Sequence, residues 1–141
     1  MIEQIAQKDI QIMVPASDWK DAIRKSALPL VESGAIENRY VEEMIASAIK
    51  NGPYFVITKG IALAHARPEC GVHNFAVGIT TLQKGVKFGA GENDPVWMII
   101  VLAATDDNSH IDLLGELADK LMDAQLIDRL HKCRTPAEFR N

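Results

Sequence analysis

The feature that most constrains the fold is an uninterrupted apolar run, Val96-Trp97-Met98-Ile99-Ile100-Val101-Leu102-Ala103. Apolar and polar residues do not alternate along it, as they would in a strand with one face in water. A run without alternation indicates a strand that is buried on both faces, at the centre of a sheet covered by helices. The run is far shorter than the ~20 residues of a membrane-spanning helix. The sequence therefore predicts an α/β layered domain built around this strand.

Further strands and helices fit around this run. Short apolar segments bounded by Gly, Pro or Asp predict strands at Ile10–Val14, Tyr54–Thr58, Ile61–His65 and Phe75–Leu82. Apolar residues at helical spacing predict four helices: one that starts at Asp18 and stops at Gly34, one over Asn38–Lys50, one over Ile111–Leu121 and a short one around Leu126–Leu130. Ser17 is expected to cap the first of them. A fifth helix is predicted to begin at Pro136, after a capping box that starts at Thr135. We expect Pro29 to kink or loosen the first helix near its end.

The bulk properties indicate one soluble domain over residues 1–141. The formal net charge of -4 argues against a nucleic-acid partner, because nucleic acids are usually bound by basic surfaces. The two cysteines, Cys70 and Cys133, are too few for a disulfide framework and form no C-x-x-C pair. The N-terminus lacks a basic segment followed by a long apolar run, so we expect no signal peptide. Together these observations predict a cytoplasmic protein with reduced thiols.

Two of the four histidines lie where a predicted strand ends or a predicted helix begins. His65 ends the strand Ile61–His65, and His110 begins the helix that follows the buried strand. Ligand sites of open α/β sheets gather at such strand ends. A helix N-terminus favours an anion and disfavours a protonated imidazole, so a neutral His110 could donate a hydrogen bond to a phosphoryl oxygen. Arg67 lies close to His65 in sequence and could stabilise the same oxygens.

Spacing alone leaves other interpretations of these residues open. A histidine at a strand end more often has a structural or surface role, His110 could simply cap its helix, and Arg67 could be a surface charge. Metal binding is a further alternative, because Cys70 and His73 could converge with the two histidines. No C-x-x-C or H-E-x-x-H spacing supports a zinc site, however. We therefore predict no metal and no cofactor.

Two motifs carry a resemblance to a known family. The segment Gly60-Ile61-Ala62-Leu63-Ala64-His65-Ala66-Arg67-Pro68-Glu69 resembles the phosphorylation-site motif of enzyme IIA components of the mannitol/fructose phosphotransferase superfamily. Its Ala-Arg-Pro-Glu looks like the ascorbate branch. The segment Asn108-Ser109-His110-Ile111-Asp112-Leu113-Leu114 looks like the second-histidine motif of the family. The similarity runs from about Trp19 to Phe139, and it implies a single EIIA type-2 domain with the mannitol-type IIA fold, a mixed central sheet flanked by helices on both faces.

The resemblance also implies a function, that of a phosphotransferase that carries a phosphoryl group for sugar uptake. The phosphocarrier HPr would phosphorylate His65, and phosphorylated His65 would pass the group to a cysteine of a IIB protein. IIB would phosphorylate the sugar brought in by the membrane component IIC, which would be an indirect partner. His110 would hydrogen-bond the phosphoryl group without carrying it. The expected sugar is ascorbate or a related compound, and a homodimer is a family-level option.

Two departures from the family pattern qualify this assignment. Ala64 stands where many relatives have Pro, and Ile45-Ala46-Ser47-Ala48-Ile49 lacks the Arg that mannitol-type members carry on the preceding helix. Arg67 is then the nearest candidate cation, and the sugar is not expected to be mannitol. Leu63 and Phe88 could belong to an apolar docking rim around His65 or to the core. The alternatives are a nitrogen-type IIA protein, which signals by binding other proteins, and a non-enzymatic binding module that kept the fold.

Overall fold

The computed structural model describes residues 5–52, 54–105 and 111–140. Within these residues, five strands form one sheet: β1 (Ile10–Val14), β2 (Val56–Thr58), β3 (Ile61–Ala64), β4 (Ala76–Val86) and β5 (Val96–Ala103). Their order is β1-β4-β5-β3-β2, so β5 is the central strand. The sheet is mixed: β1 runs parallel to β4 and β3 parallel to β5, while β4–β5 and β2–β3 are antiparallel. The α/β class and the mixed sheet predicted from the sequence are confirmed.

In the part of the chain that the structure describes, five helices cover the sheet: α1 (Trp19–Glu32), α2 (Asn38–Asn51), α3 (Ile111–Leu121), α4 (Ala124–Lys132) and α5 (Pro136–Arg140). Short 3-10 turns occupy Gln7–Asp9, Pro68–Cys70 and Gly91–Asn93. Helices α1 and α2 pack on one face of the sheet, and α3 to α5 pack on the other. No helix in the described part of the chain is long and apolar enough to cross a membrane.

The apolar run of β5 is buried on both faces, as its lack of alternation predicts. Ile99, Val101 and Ala103 belong to the core under α1 and α2, whereas Met98, Ile100 and Leu102 belong to the core under α3 to α5. Successive side chains of a strand point to opposite faces, so one strand serves both cores. Leu63 is buried in the second core and Phe88 packs against the first, where it contacts Trp19, so neither forms an exposed rim.

One local expectation about α1 needs correction, and its proline has a compensating partner. Helix α1 is capped by Asp18 instead of Ser17, because the Asp18 carboxylate accepts a hydrogen bond from the backbone N–H of Asp21 at 2.8 Å. Pro29 lies inside α1, yet the helix continues to Glu32. A proline at this position leaves the carbonyl four residues earlier, on Lys25, without its helical donor. The Gln11 amide of β1 donates to that carbonyl at 2.7 Å and so replaces the missing bond.

Candidate functional site

His65 is the first residue after β3 and is half-buried. Its Nδ1 lies 3.1 Å from the carbonyl oxygen of Leu63. A carbonyl oxygen can only accept a hydrogen bond, so Nδ1 must carry the proton and donate it. In the neutral imidazole, the Nε2 lone pair is then free. The local backbone therefore fixes the tautomer in which Nε2 is the nucleophilic nitrogen.

Two aromatic side chains from the segment between α2 and β2 pack against the imidazole. The Tyr54 ring meets it edge-on, with centroids 5.7 Å apart and an interplanar angle of 89°. The Phe55 ring is buried and lies 5.5 Å from the imidazole at 46°. These contacts restrict rotation of the ring, so they add to the orientation that the Leu63 carbonyl imposes.

The backbone that follows His65 is held by the hydroxyl of Tyr40 in α2. This hydroxyl accepts a hydrogen bond from the N–H of Ala66 at 3.0 Å and donates one to the carbonyl of Leu102 at 2.8 Å. Burial raises the pKa of Tyr40 to about 12, so the phenol keeps its proton, and with it the donor, well into the alkaline range. One buried side chain thus joins α2, the His65 loop and the end of β5.

The rest of the loop is anchored to the start of α2. Ile36 and Val72 form an isolated antiparallel bridge, and the N–H of Glu37 donates to the carbonyl of Gly71 at 2.8 Å. His73 lies 3.0 Å from the Glu37 carboxylate. The Arg39 guanidinium and, more weakly, His73 lower the pKa of Glu37, because a nearby positive charge favours the carboxylate.

The described residues that were weighed as metal ligands have separate surroundings. His73 pairs with Glu37, whereas Cys70 and His65 line the same cavity. Within residues 5–52, 54–105 and 111–140, no three His, Cys, Asp or Glu side chains come together in a group that could hold a metal ion. Cys70 and Cys133 are both free thiols, and burial raises the pKa of Cys133.

An open cavity of about 360 Å³ lies in front of His65. It is formed where β3 and β5 end, because these strands are parallel and pair Ala64 with Val101. The side chains and backbone that line it come from α2, the loops on either side of β2 and β3, and the end of β5: Tyr40, Glu43, Ser47, Tyr54, His65, Ala66, Arg67, Pro68, Cys70, Leu102 and Ala104. The cavity is open to solvent, so a group on another protein can reach His65.

Arg67 and His110 are the two other residues that the sequence predicts for the site. Arg67 lines the cavity, but its side chain is 79% exposed and its Nε lies 3.5 Å from a carboxylate oxygen of Glu69. It therefore stands at the rim. His110 lies outside the described residues; the described chain on either side stops at Thr105 and resumes with Ile111.

Sequence reasoning missed Tyr40 and Tyr54 as parts of the site. The ring of Tyr40 belongs to the buried apolar face of α2. The signal available was chemical: a tyrosine on a buried face needs a hydrogen-bond partner for its hydroxyl. Which backbone groups it would reach depends on how α2 packs on the sheet.

The family model for the phosphoenolpyruvate-dependent sugar phosphotransferase system, EIIA 2, matches residues 3–141. The phosphotransferase IIA component SgcA of Escherichia coli K12 is 45% identical over 104 residues, which are 74% of this chain and 73% of that protein. The ascorbate-specific EIIA component of Shigella flexneri is 35% identical over 132 residues, which are 93% of this chain and 86% of that protein.

Solved structures agree with these relatives. The IIA protein PtxA of Streptococcus mutans superposes with a TM-score of 0.86 at 34% identity, over 94% of this chain and 85% of that one. The mannitol IIA of Escherichia coli, solved in complex with phosphorylated mannitol IIB, superposes with a TM-score of 0.81 at 27% identity, over 96% of this chain and 93% of that one. The chain therefore belongs to the type-2 enzyme IIA components of the sugar phosphotransferase system, which are phosphotransferases that carry a phosphoryl group.

Proposed function

We propose that His65 is the phosphoryl-carrying residue of this enzyme IIA. It would accept the phosphoryl group from phosphorylated HPr and pass it to a cysteine of a IIB protein. The observation that carries this proposal is the hydrogen bond between Nδ1 and the Leu63 carbonyl at 3.1 Å. It leaves Nε2 as an unprotonated nucleophile on an open cavity that another protein can reach.

The two steps are displacements at phosphorus. In the first, the Nε2 lone pair forms a bond to phosphorus while the bond between phosphorus and HPr breaks. In the second, a thiolate of IIB attacks the same phosphorus, and the electron pair of the P–N bond returns to Nε2. The imidazole gains positive charge when it carries the phosphoryl group, and the Leu63 carbonyl stabilises it by accepting from Nδ1–H. Catalysis of this kind rests mainly on positioning and electrostatics.

His110 and Arg67 keep the roles that the sequence predicts for them. His110 would donate a hydrogen bond to a phosphoryl oxygen, and its motif follows β5, whose end lines the cavity through Leu102 and Ala104. Arg67 would contribute at the rim, where a positive charge also suits an incoming phosphorylated partner.

The substrate proposal is ascorbate or a related sugar. The Ala66-Arg67-Pro68-Glu69 motif and the similarity to ascorbate-specific EIIA components support it. Because HPr and the IIB acceptors of such systems act in the cytoplasm, we place the protein there as well.

Incubation with phosphoenolpyruvate, enzyme I and HPr tests the role of His65. We expect one acid-labile, base-stable phosphate per chain. His65→Ala should abolish this phosphorylation. His131→Ala should retain it, because His131 lies in α4, where it stacks on Trp97 of β5, and does not line the cavity. Labelling that persists in His65→Ala would refute the assignment.

A second assay tests the acceptor and the sugar. Phosphorylated protein is mixed with ascorbate-type and mannitol-type IIB proteins, and loss of the phosphohistidine is followed. Faster transfer to ascorbate-type IIB is expected. Transfer to no IIB protein would favour the regulatory, nitrogen-type alternative. His110→Ala should slow the transfer, and an unchanged rate would remove its proposed role.

A further inference from the structure

Two residues with hydroxyl groups line the cavity beside His65. Ser47 lies in the last turns of α2 and Tyr54 lies after it, and both line the cavity. Their oxygens are 2.8 Å apart, which is the distance of a good O–H···O hydrogen bond. Neither residue has a role in the steps described above.

Either hydroxyl of this pair can be the donor, and one of the two arrangements leaves a proton for the cavity. The Asn51 amide donates to Ser47 Oγ at 3.4 Å, so Ser47 already accepts one hydrogen bond. The Ser47 hydroxyl can then donate to the Tyr54 oxygen, and a hydroxyl has only one proton to donate. In this arrangement the proton of Tyr54 remains available for an acceptor in the cavity. In the same arrangement, the series of hydrogen bonds from Asn51 through Ser47 to Tyr54 polarises the Tyr54 hydroxyl and makes it a better donor.

Tyr54 is held firmly enough for this proton to be aimed. Its N–H donates to the carbonyl of Gly52 at 2.9 Å, in a turn where Gly52 has a φ of 83°. Its ring packs edge-on against Phe55, with centroids 4.4 Å apart, and edge-on against His65. The ring is 41% exposed, so it closes the imidazole on one side and remains open to the cavity.

The charges around the cavity explain why a neutral donor matters. Among the described residues that line it, Glu43 is acidic and Arg67 is the one permanent cation. Arg67 is directed to the rim and interacts with Glu69. A phosphoryl group brings a charge of about −1.5 to −2 and three strong acceptor oxygens. Its oxygens need donors close to His65, and Tyr54, whose ring packs against the imidazole, lines the same cavity.

We propose that Tyr54 contacts the phosphoryl group on His65, donating its hydroxyl proton to a phosphoryl oxygen, and that Ser47 is a positioning residue that orients this hydroxyl. The inference rests on the proposed phosphorylation of His65. A hydrogen bond to a phosphoryl oxygen exists only in the phosphorylated form, so the contribution of Tyr54 favours that form.

The test is the phosphoryl exchange equilibrium with HPr, measured for the wild type, Tyr54→Phe, Ser47→Ala and Ser47→Thr. Tyr54→Phe keeps the ring against His65 and removes only the hydroxyl. It should shift the equilibrium toward phosphorylated HPr by about ten-fold, the effect of losing one hydrogen bond to a charged group. Ser47→Ala should shift the equilibrium in the same direction by less than Tyr54→Phe does. Ser47→Thr keeps the hydroxyl, so its equilibrium should match that of the wild type. Ser33→Ala is the matched control, because Ser33 bonds the Leu30 carbonyl away from the cavity.

The phosphorus NMR chemical shift of phosphorylated His65 is a second measurement, because it reports the surroundings of the phosphoryl group and not the stability of the fold. It should shift in Tyr54→Phe and stay unchanged in Ser33→Ala, while thermal unfolding of the unphosphorylated proteins stays the same. A Tyr54→Phe variant with the wild-type equilibrium and the wild-type signal would overturn the inference and leave the role of His65 intact. A wild-type protein that is not labelled on His65 would overturn both.

Discussion

Replacing Tyr40 by Phe tests the contact that joins the His65 loop to the sheet. The ring would keep its place in the core, where Tyr40 is fully buried, and only the hydroxyl would be lost. The Ala66 N–H would then lose its acceptor and the Leu102 carbonyl would lose its donor. Leaving buried backbone groups without a partner costs about 1–3 kcal/mol, so we expect the free energy of unfolding to fall by about 2 kcal/mol at pH 7.

The same hydroxyl makes this difference depend on pH. Burial raises the pKa of Tyr40 from 10.0 to about 12 in the folded protein. The folded state therefore holds the phenol proton more tightly, and the stabilisation is complete below pH 10 and lost as the pH rises through 12. A shift of this size corresponds to about 2.7 kcal/mol in total, of which about 1.4 kcal/mol is lost by pH 11.

Urea unfolding of both proteins at 25 °C, at pH 7 and across pH 9–11, measures the effect. Other alkaline titrations, such as that of Cys133, occur in both proteins and cancel in the difference. The advantage of the wild type should shrink from about 2 kcal/mol to roughly 1 kcal/mol or less at pH 11. A difference that is the same at every pH would refute the burial and bonding of the Tyr40 hydroxyl. Tyr40→Phe should also slow phosphorylation of His65, because the loop after the histidine loses an anchor.

Three further substitutions test the fold around the site. Gln11→Ala should lower the free energy of unfolding by about 1–3 kcal/mol, measured by urea unfolding, because the Lys25 carbonyl loses its replacement donor. Gly60→Ala should lower the free energy of unfolding by about 3 kcal/mol, which a thermal melt would show as a large drop in the melting temperature. The cause is that φ is +79° at this position and a Cβ would lie 2.6 Å from the Trp97 ring. Glu42→Ala removes an exposed ion pair and should change the free energy of unfolding by less than about 1 kcal/mol; a larger loss would show that this pair is more than a surface contact.

Several elements were predictable because their causes are local. The run Val96–Ala103 became the central strand with the expected bounds, since burial on both faces requires an unbroken apolar sequence. Helix α2 begins at Asn38 and runs one residue beyond the predicted end, to Asn51. The partner of the Lys25 carbonyl was not predictable in this way, because the residue that donates to it, Gln11, lies on a different element.

The sequence by itself determined the layered α/β class, the central strand and the position of His65 at a strand end, because periodicity and turn residues act over a few neighbours. The tertiary structure decided what surrounds that histidine. Its tautomer follows from the position of the Leu63 carbonyl, and its loop is held by Tyr40, which is distant in sequence. Tyr54 reaches the imidazole because β2 and β3 pair at the edge of the sheet. Such contacts depend on how helices pack on a sheet, and no spacing along the chain encodes them.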